Sequence, residues 1–78
     1  MNEPNKRTAT VESTPHGDFL IEAFKTYDGW WRARITTKDG GKVKTETGEY
    51  SFIDTPDDIT ADAAIELAKK MIDIRTVS

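Results

Sequence analysis

Two tryptophans stand side by side at Trp30-Trp31 and run directly into Arg32-Ala33-Arg34-Ile35. Side chains alternate between faces along an extended strand, so one tryptophan enters a core and the other shares a face with both arginines. Phe24, Trp30, Arg32 and Arg34 then form an aromatic and basic patch, extended by Lys44 from a third strand. Rings interleaved with guanidinium groups suit three kinds of work. They stack on bases and grip phosphates, and three-stranded sheets can read DNA grooves. They anchor protein interfaces, where tryptophan and arginine dominate hot spots. They also stabilise a sheet face through its own cross-strand cation–π and ion pairs.

Other chemistry is thinly provided. The chain has no cysteine, which removes disulfides, thiolate metal ligands and thiol nucleophiles. Its one histidine, His16, lies between Pro15 and Gly17 in a polar stretch and reads as a solvated loop residue with nothing to orient it. Asp54, Asp57 and Asp58 cluster before a helix but lack the alternating spacing and glycine of an EF-hand loop, so they read as turn and helix-start residues. Gly40-Gly41 leads into a strand rather than a helix, which leaves no phosphate cradle at a helix N-terminus. No catalytic residue, metal ligand, cofactor or small-molecule substrate is expected.

The chain is 78 residues long with a formal net charge of −3, which argues mildly against a dedicated nucleic-acid binder. Its acidity gathers in the second half, at Glu49, Asp54, Asp57, Asp58, Asp62, Glu66 and Asp73, while Arg32 and Arg34 sit on the expected sheet. Apolar runs are a few residues, against the roughly 20 that cross a bilayer. Residues 1–7 lack the apolar stretch of a signal peptide, so a cytoplasmic, non-membrane protein is expected.

The elements that must position the patch follow from turn chemistry and periodicity. Residues 1–17 show neither period and read as a disordered tail, with a single α+β domain over 18–78. Strands are expected at Asp18–Thr26 and Trp30–Thr37, joined by a three-residue loop in which Gly29 takes the left-handed position. That loop pairs Ala23 with Ala33 and Ile21 with Ile35 on one face, and Glu22 with Arg34 and Phe24 with Arg32 on the other. A two-residue Asp28-Gly29 turn would instead put Glu22 on the apolar face. A third strand starts at Lys42, and Gly48 is either a bulge in it or a turn into a short fourth strand near residues 48–53.

Thr60 is placed to cap a helix running from about Ala61 to Ile74, with Ala61, Ala64, Ile65, Ala68, Met71 and Ile72 forming its apolar stripe. The expected core is Phe19, Ile21, Ala23, Trp31, Ala33, Ile35, Val43, Phe52, Ile65, Ala68, Met71 and Ile72. One helix across one face of a three-stranded antiparallel meander buries both apolar surfaces, giving an α+β fold of β-β-β-α order.

The run Trp31-x-Ala33-x-Ile35 after a glycine turn, then Asp39-Gly40, then Thr60-x-x-Ala63-Ala64 and a helix ending at Ile72-Asp73, resembles a group of small bacterial proteins of β-β-β-α layout with no assigned function. The likeness covers about residues 18–74 and implies a fold without implying catalytic residues. The layout is also similar to the sheet-plus-helix of AP2-type and integrase arm-type DNA-binding domains, which carry a more basic sheet face. The expected function is therefore a non-enzymatic module whose outer sheet face contacts a protein partner or a second copy. DNA binding through Trp30, Arg32 and Arg34 is the alternative.

Overall fold

The bulged hairpin forms as the sequence predicts. In the computed structural model, which describes residues 10–78, Gly29 adopts a φ of +91° and its N–H donates to the Thr26 carbonyl at 3.0 Å. The flanking strands, β2 (Phe19–Lys25) and β3 (Trp31–Thr37), pair Ile21 with Ile35, Ala23 with Ala33, Glu22 with Arg34 and Phe24 with Arg32. Ile21, Ala23, Ala33 and Ile35 are fully buried on one side, while Glu22, Phe24, Arg32 and Arg34 are half-buried on the other.

Two strands lie elsewhere than the sequence pattern suggests. Thr10–His16, read as part of a tail, is a seven-residue strand β1 lying antiparallel on β2, with Thr14 opposite Ile21 and His16 opposite Phe19. The signal for it is Gly17-Asp18, a two-residue hairpin turn with Gly17 at φ +63°. The polar composition and Pro15 conceal the strand, yet a proline is compatible with a strand at a sheet edge. Residues 1–9, the rest of the expected tail, lie outside the described residues.

The second difference concerns the strand expected at Lys42. Val43–Thr45 (β4) turns through Glu46-Thr47 and pairs with Gly48–Tyr50 (β5) as a separate two-stranded hairpin, so Gly48 serves a turn and not a bulge. The partner of β3 is instead the two-residue strand β6, Ile53–Asp54, which completes a four-stranded sheet in the order β1-β2-β3-β6. The pairing is short because a buried threonine takes over from the ladder. Thr55 donates its backbone N–H to the Ala33 carbonyl at 2.9 Å, and its side-chain hydroxyl accepts the Ala33 N–H at 2.9 Å.

Helix α1 spans Ala61–Asp73, with the Thr60 hydroxyl accepting the Ala63 N–H at 3.1 Å as the expected cap. It ends where Arg75 turns to φ +67°, its N–H reaching Ile72 and the next N–H reaching Met71, a Schellman arrangement in which glycine is the usual occupant. Ala64 and Ala68 are fully buried, and their small side chains let the helix sit close against the sheet. Val43 and Val77 complete the buried core, with Trp31, Ile53, Ile65, Met71 and Ile72 packed around it.

An antiparallel sheet with one C-terminal helix, an α+β fold, is thus the architecture that the sequence and the resemblance imply. Phe52 is a correction to the expected core. It is 43 % exposed, because β6 leaves the hairpin with Ile53 turned inward and Phe52 facing outward.

Candidate binding face

The face of the sheet that α1 does not cover carries four of the five residues picked out by sequence: Phe24, Trp30, Arg32 and Arg34. Trp30 extends the outward parity of Arg32 and Arg34 and is 46 % exposed, its backbone N–H tied to the Thr26 hydroxyl at 3.0 Å. Trp31 packs against the core, so the two adjacent tryptophans have separate jobs. Lys44 does not join the patch. It lies on β4, where its backbone exchanges two hydrogen bonds with Ser78 at 2.8 and 2.9 Å, and it faces a cleft away from the arginines.

The arginines are already engaged. Arg34 grips Asp54 with two hydrogen bonds, Nε to Oδ1 at 2.7 Å and a terminal nitrogen to Oδ2 at 2.9 Å. Such a fork is the strongest and most directional form of ion pair between side chains. The cross-strand register explains it, since Asp54 stands opposite Arg34 on β6 as Glu22 does on β2. The Arg34 guanidinium also lies 3.8 Å from the Phe52 ring centroid and 5.1 Å from that of Phe24. A cation within about 6 Å of a ring face gains electrostatic attraction, so both rings help hold the group flat. Arg32 donates its Nε to Asp57 Oδ1 at 2.5 Å.

These contacts hold the guanidinium groups in their charged form. The ionisation of Arg34 is pushed above its ordinary range chiefly by the Asp54 hydrogen bond, against an opposing effect of burial. Arg32 is raised chiefly by its hydrogen bond to Asp57. Two arginines thus meet three carboxylates, Glu22, Asp54 and Asp57, and the face has no surplus of positive charge.

Sequence reading missed Asp54 and Asp57 as arginine partners, taking them for turn residues. Only the pairing of β6 with β3 could reveal them, and a two-residue strand leaves no periodicity to read. Phe52 is the other addition to the face. His16, expected in a loop, lies in β1 and donates from Nε2 to Asp73 Oδ1 at the end of α1 at 2.8 Å, tying β1 to the helix.

Among the described residues, no group of three or more His, Asp or Glu side chains is placed to hold a metal ion. None of the described helices is long and apolar enough to cross a membrane. No protein-family model, curated protein or solved structure matches the chain.

Proposed function

We propose that this protein is a non-enzymatic interaction module whose outer sheet face docks onto another protein, with a second copy of itself as the first partner to test. The observation that supports the reading is an aromatic surface whose ionic groups are already satisfied within the fold. Trp30 and Phe52 are 46 % and 43 % exposed on a face the single helix leaves bare. Arg32 and Arg34, the groups that would seek phosphates, are held by Asp57 and Asp54. Rigid aromatic side chains flanked by fixed arginines contribute most of the energy at the centre of protein interfaces, because little freedom is lost on contact.

The alternative, DNA binding through the same face, would require those ion pairs to open, which removes the main support for it. Sedimentation equilibrium and NMR relaxation across a concentration series test self-association. Wild-type protein growing heavier with concentration, and a Trp30→Ala variant staying monomeric, is the expected result. A monomer at every concentration, together with a Trp30→Ala variant that keeps every captured partner, would remove the reading.

A further inference from the structure

We propose that Asp28 is a site of spontaneous covalent modification, isomerising through a cyclic imide to isoaspartate, and that the turn around Asp39 protects the equivalent pair Asp39-Gly40. The sequence holds these two Asp-Gly pairs, one in the β2–β3 loop and one after β3, and no Asn-Gly pair. Glycine has no side chain to shield its amide nitrogen, so that nitrogen can close on the preceding carboxyl carbon.

The fold separates the two sites at the carboxyl. Asp39 Oδ1 accepts the Gly41 N–H at 2.9 Å, which turns the group past Gly40 to the following residue. That bond, with one from the Thr37 hydroxyl, also holds the Asp39 carboxyl below its usual range. Imide closure uses the protonated carboxyl, whose hydroxyl is the leaving group, so Asp39 is disfavoured twice. Asp28 is exposed at the loop tip beside Tyr27. Its carboxylate makes no hydrogen bond or ion pair among the described residues.

The amide nitrogens do not account for the difference. The Gly29 N–H donates to the Thr26 carbonyl at 3.0 Å and the Gly40 N–H to the Thr37 carbonyl at 3.3 Å, so either turn must loosen before its nitrogen attacks. The space around both glycines is equally open. The carboxyl therefore decides.

In the reaction, the Gly29 nitrogen bonds to Asp28 Cγ, and its proton leaves with the carboxyl hydroxyl as water. Water then opens the five-membered imide at one of two carbons. Attack at Cγ restores aspartate. Attack at the main-chain carbonyl carbon breaks its bond to the Gly29 nitrogen and leaves the chain running through the side chain of Asp28, one methylene longer. No oxidant or cofactor takes part, and the mass is unchanged. The longer backbone falls in a loop clamped by the Thr26 N–H on the Trp30 carbonyl at 2.6 Å and the Trp30 N–H on the Thr26 hydroxyl at 3.0 Å. The inference does not depend on what the sheet face binds.

The test ages the full chain at neutral pH below its thermal midpoint, both folded and in denaturant. Trypsin then releases the two sites in separate peptides, residues 26–32 and 39–42, and isoaspartate is measured in each by electron-transfer fragmentation. In the folded chain it should form at Asp28 about threefold faster than at Asp39, or more, threefold being the low end for one net hydrogen bond. In denaturant the two rates should converge, because the protecting turn is lost. Asp28→Glu, which would need a six-membered ring, should remove the signal from the first peptide. No isoaspartate at Asp28, formation at Asp39 as fast in the folded chain, or a ratio that persists in denaturant would overturn the proposal.

Discussion

The outer sheet face and the lysine cleft both present cations, yet they differ in where the counter-charges stand. On the sheet, β6 brings Asp54 beside Arg34, and the connector after it brings Asp57 beside Arg32, so each guanidinium is closed by its own fold. Around the cleft that Lys38, Lys42 and Lys44 line, Asp18 and Asp39 stand among the lysines, Asp39 keeping its charge as it accepts the Gly41 N–H, and no salt bridge joins them among the described residues. The local count of basic residues is therefore a poor guide to where an anion would bind. What decides is whether the carboxylates of neighbouring elements reach the cations. The sheet face is left aromatic with its arginines paired, while the charged groups of the cleft stay separate.

That contrast breaks first at Thr55, which anchors the segment carrying Asp54 to β3. Thr55→Val keeps the shape and removes the acceptor for the buried Ala33 N–H, a loss of about 1–3 kcal/mol. In a domain of this size, thermal unfolding should fall by roughly 4–8 °C for each kcal/mol.

The contrast inverts at Asp54. Asp54→Ala frees Arg34 from its fork, and the outer face should then show phosphate-dependent NMR shifts that are absent in the wild type. The accompanying loss of stability should be about 1 kcal/mol, because Arg34 is only half-buried and water screens the pair.

Asp39 supplies a smaller, pH-dependent difference. Its carboxyl is held below the usual range, first by the Gly41 N–H and then by the Thr37 hydroxyl. A carboxylate favoured in the folded state contributes stability above its unfolded ionisation range and loses it as pH falls through the lower folded value. The melting difference between wild type and Asp39→Ala should therefore be present at neutral pH and close on acidification. A difference that grew on acidification would contradict the hydrogen-bonded carboxylate.

The smallest effect is expected at the end of α1. Arg75→Gly relieves a left-handed backbone and should stabilise the chain by about 0.5–1 kcal/mol, measured by chemical denaturation.

Legibility in the sequence followed the range of the interactions involved. The register of β2 on β3 could be read because a glycine turn and a period of two constrain each other, and one residue of slip would have buried Glu22. Thr60 and the alanine-rich stripe mark α1 for the same local reason. Strand β1 was missed because its residues are mostly polar and its pairing is dictated by β2. Strand β6 was missed because two residues carry no period. Phe24, Arg32 and Arg34 share one face of the hairpin, a placement that follows from the readable register. Their partners Asp54, Asp57 and Phe52, and the displacement of Lys44 to another surface, depend on β6 and on contacts with Ser78 that no local pattern announces.

The account rests most heavily on the arginines of the outer face being closed to phosphate. The direct measurement is an NMR titration with a short DNA duplex, read at the Arg32 and Arg34 Nε–H groups and the Trp30 indole at moderate salt. Those three signals should stay in place whatever the lysines do. Saturable, salt-dependent shifts at both arginines would show that Asp54 and Asp57 release them to a nucleic acid, and would replace the proposed protein contact with DNA binding.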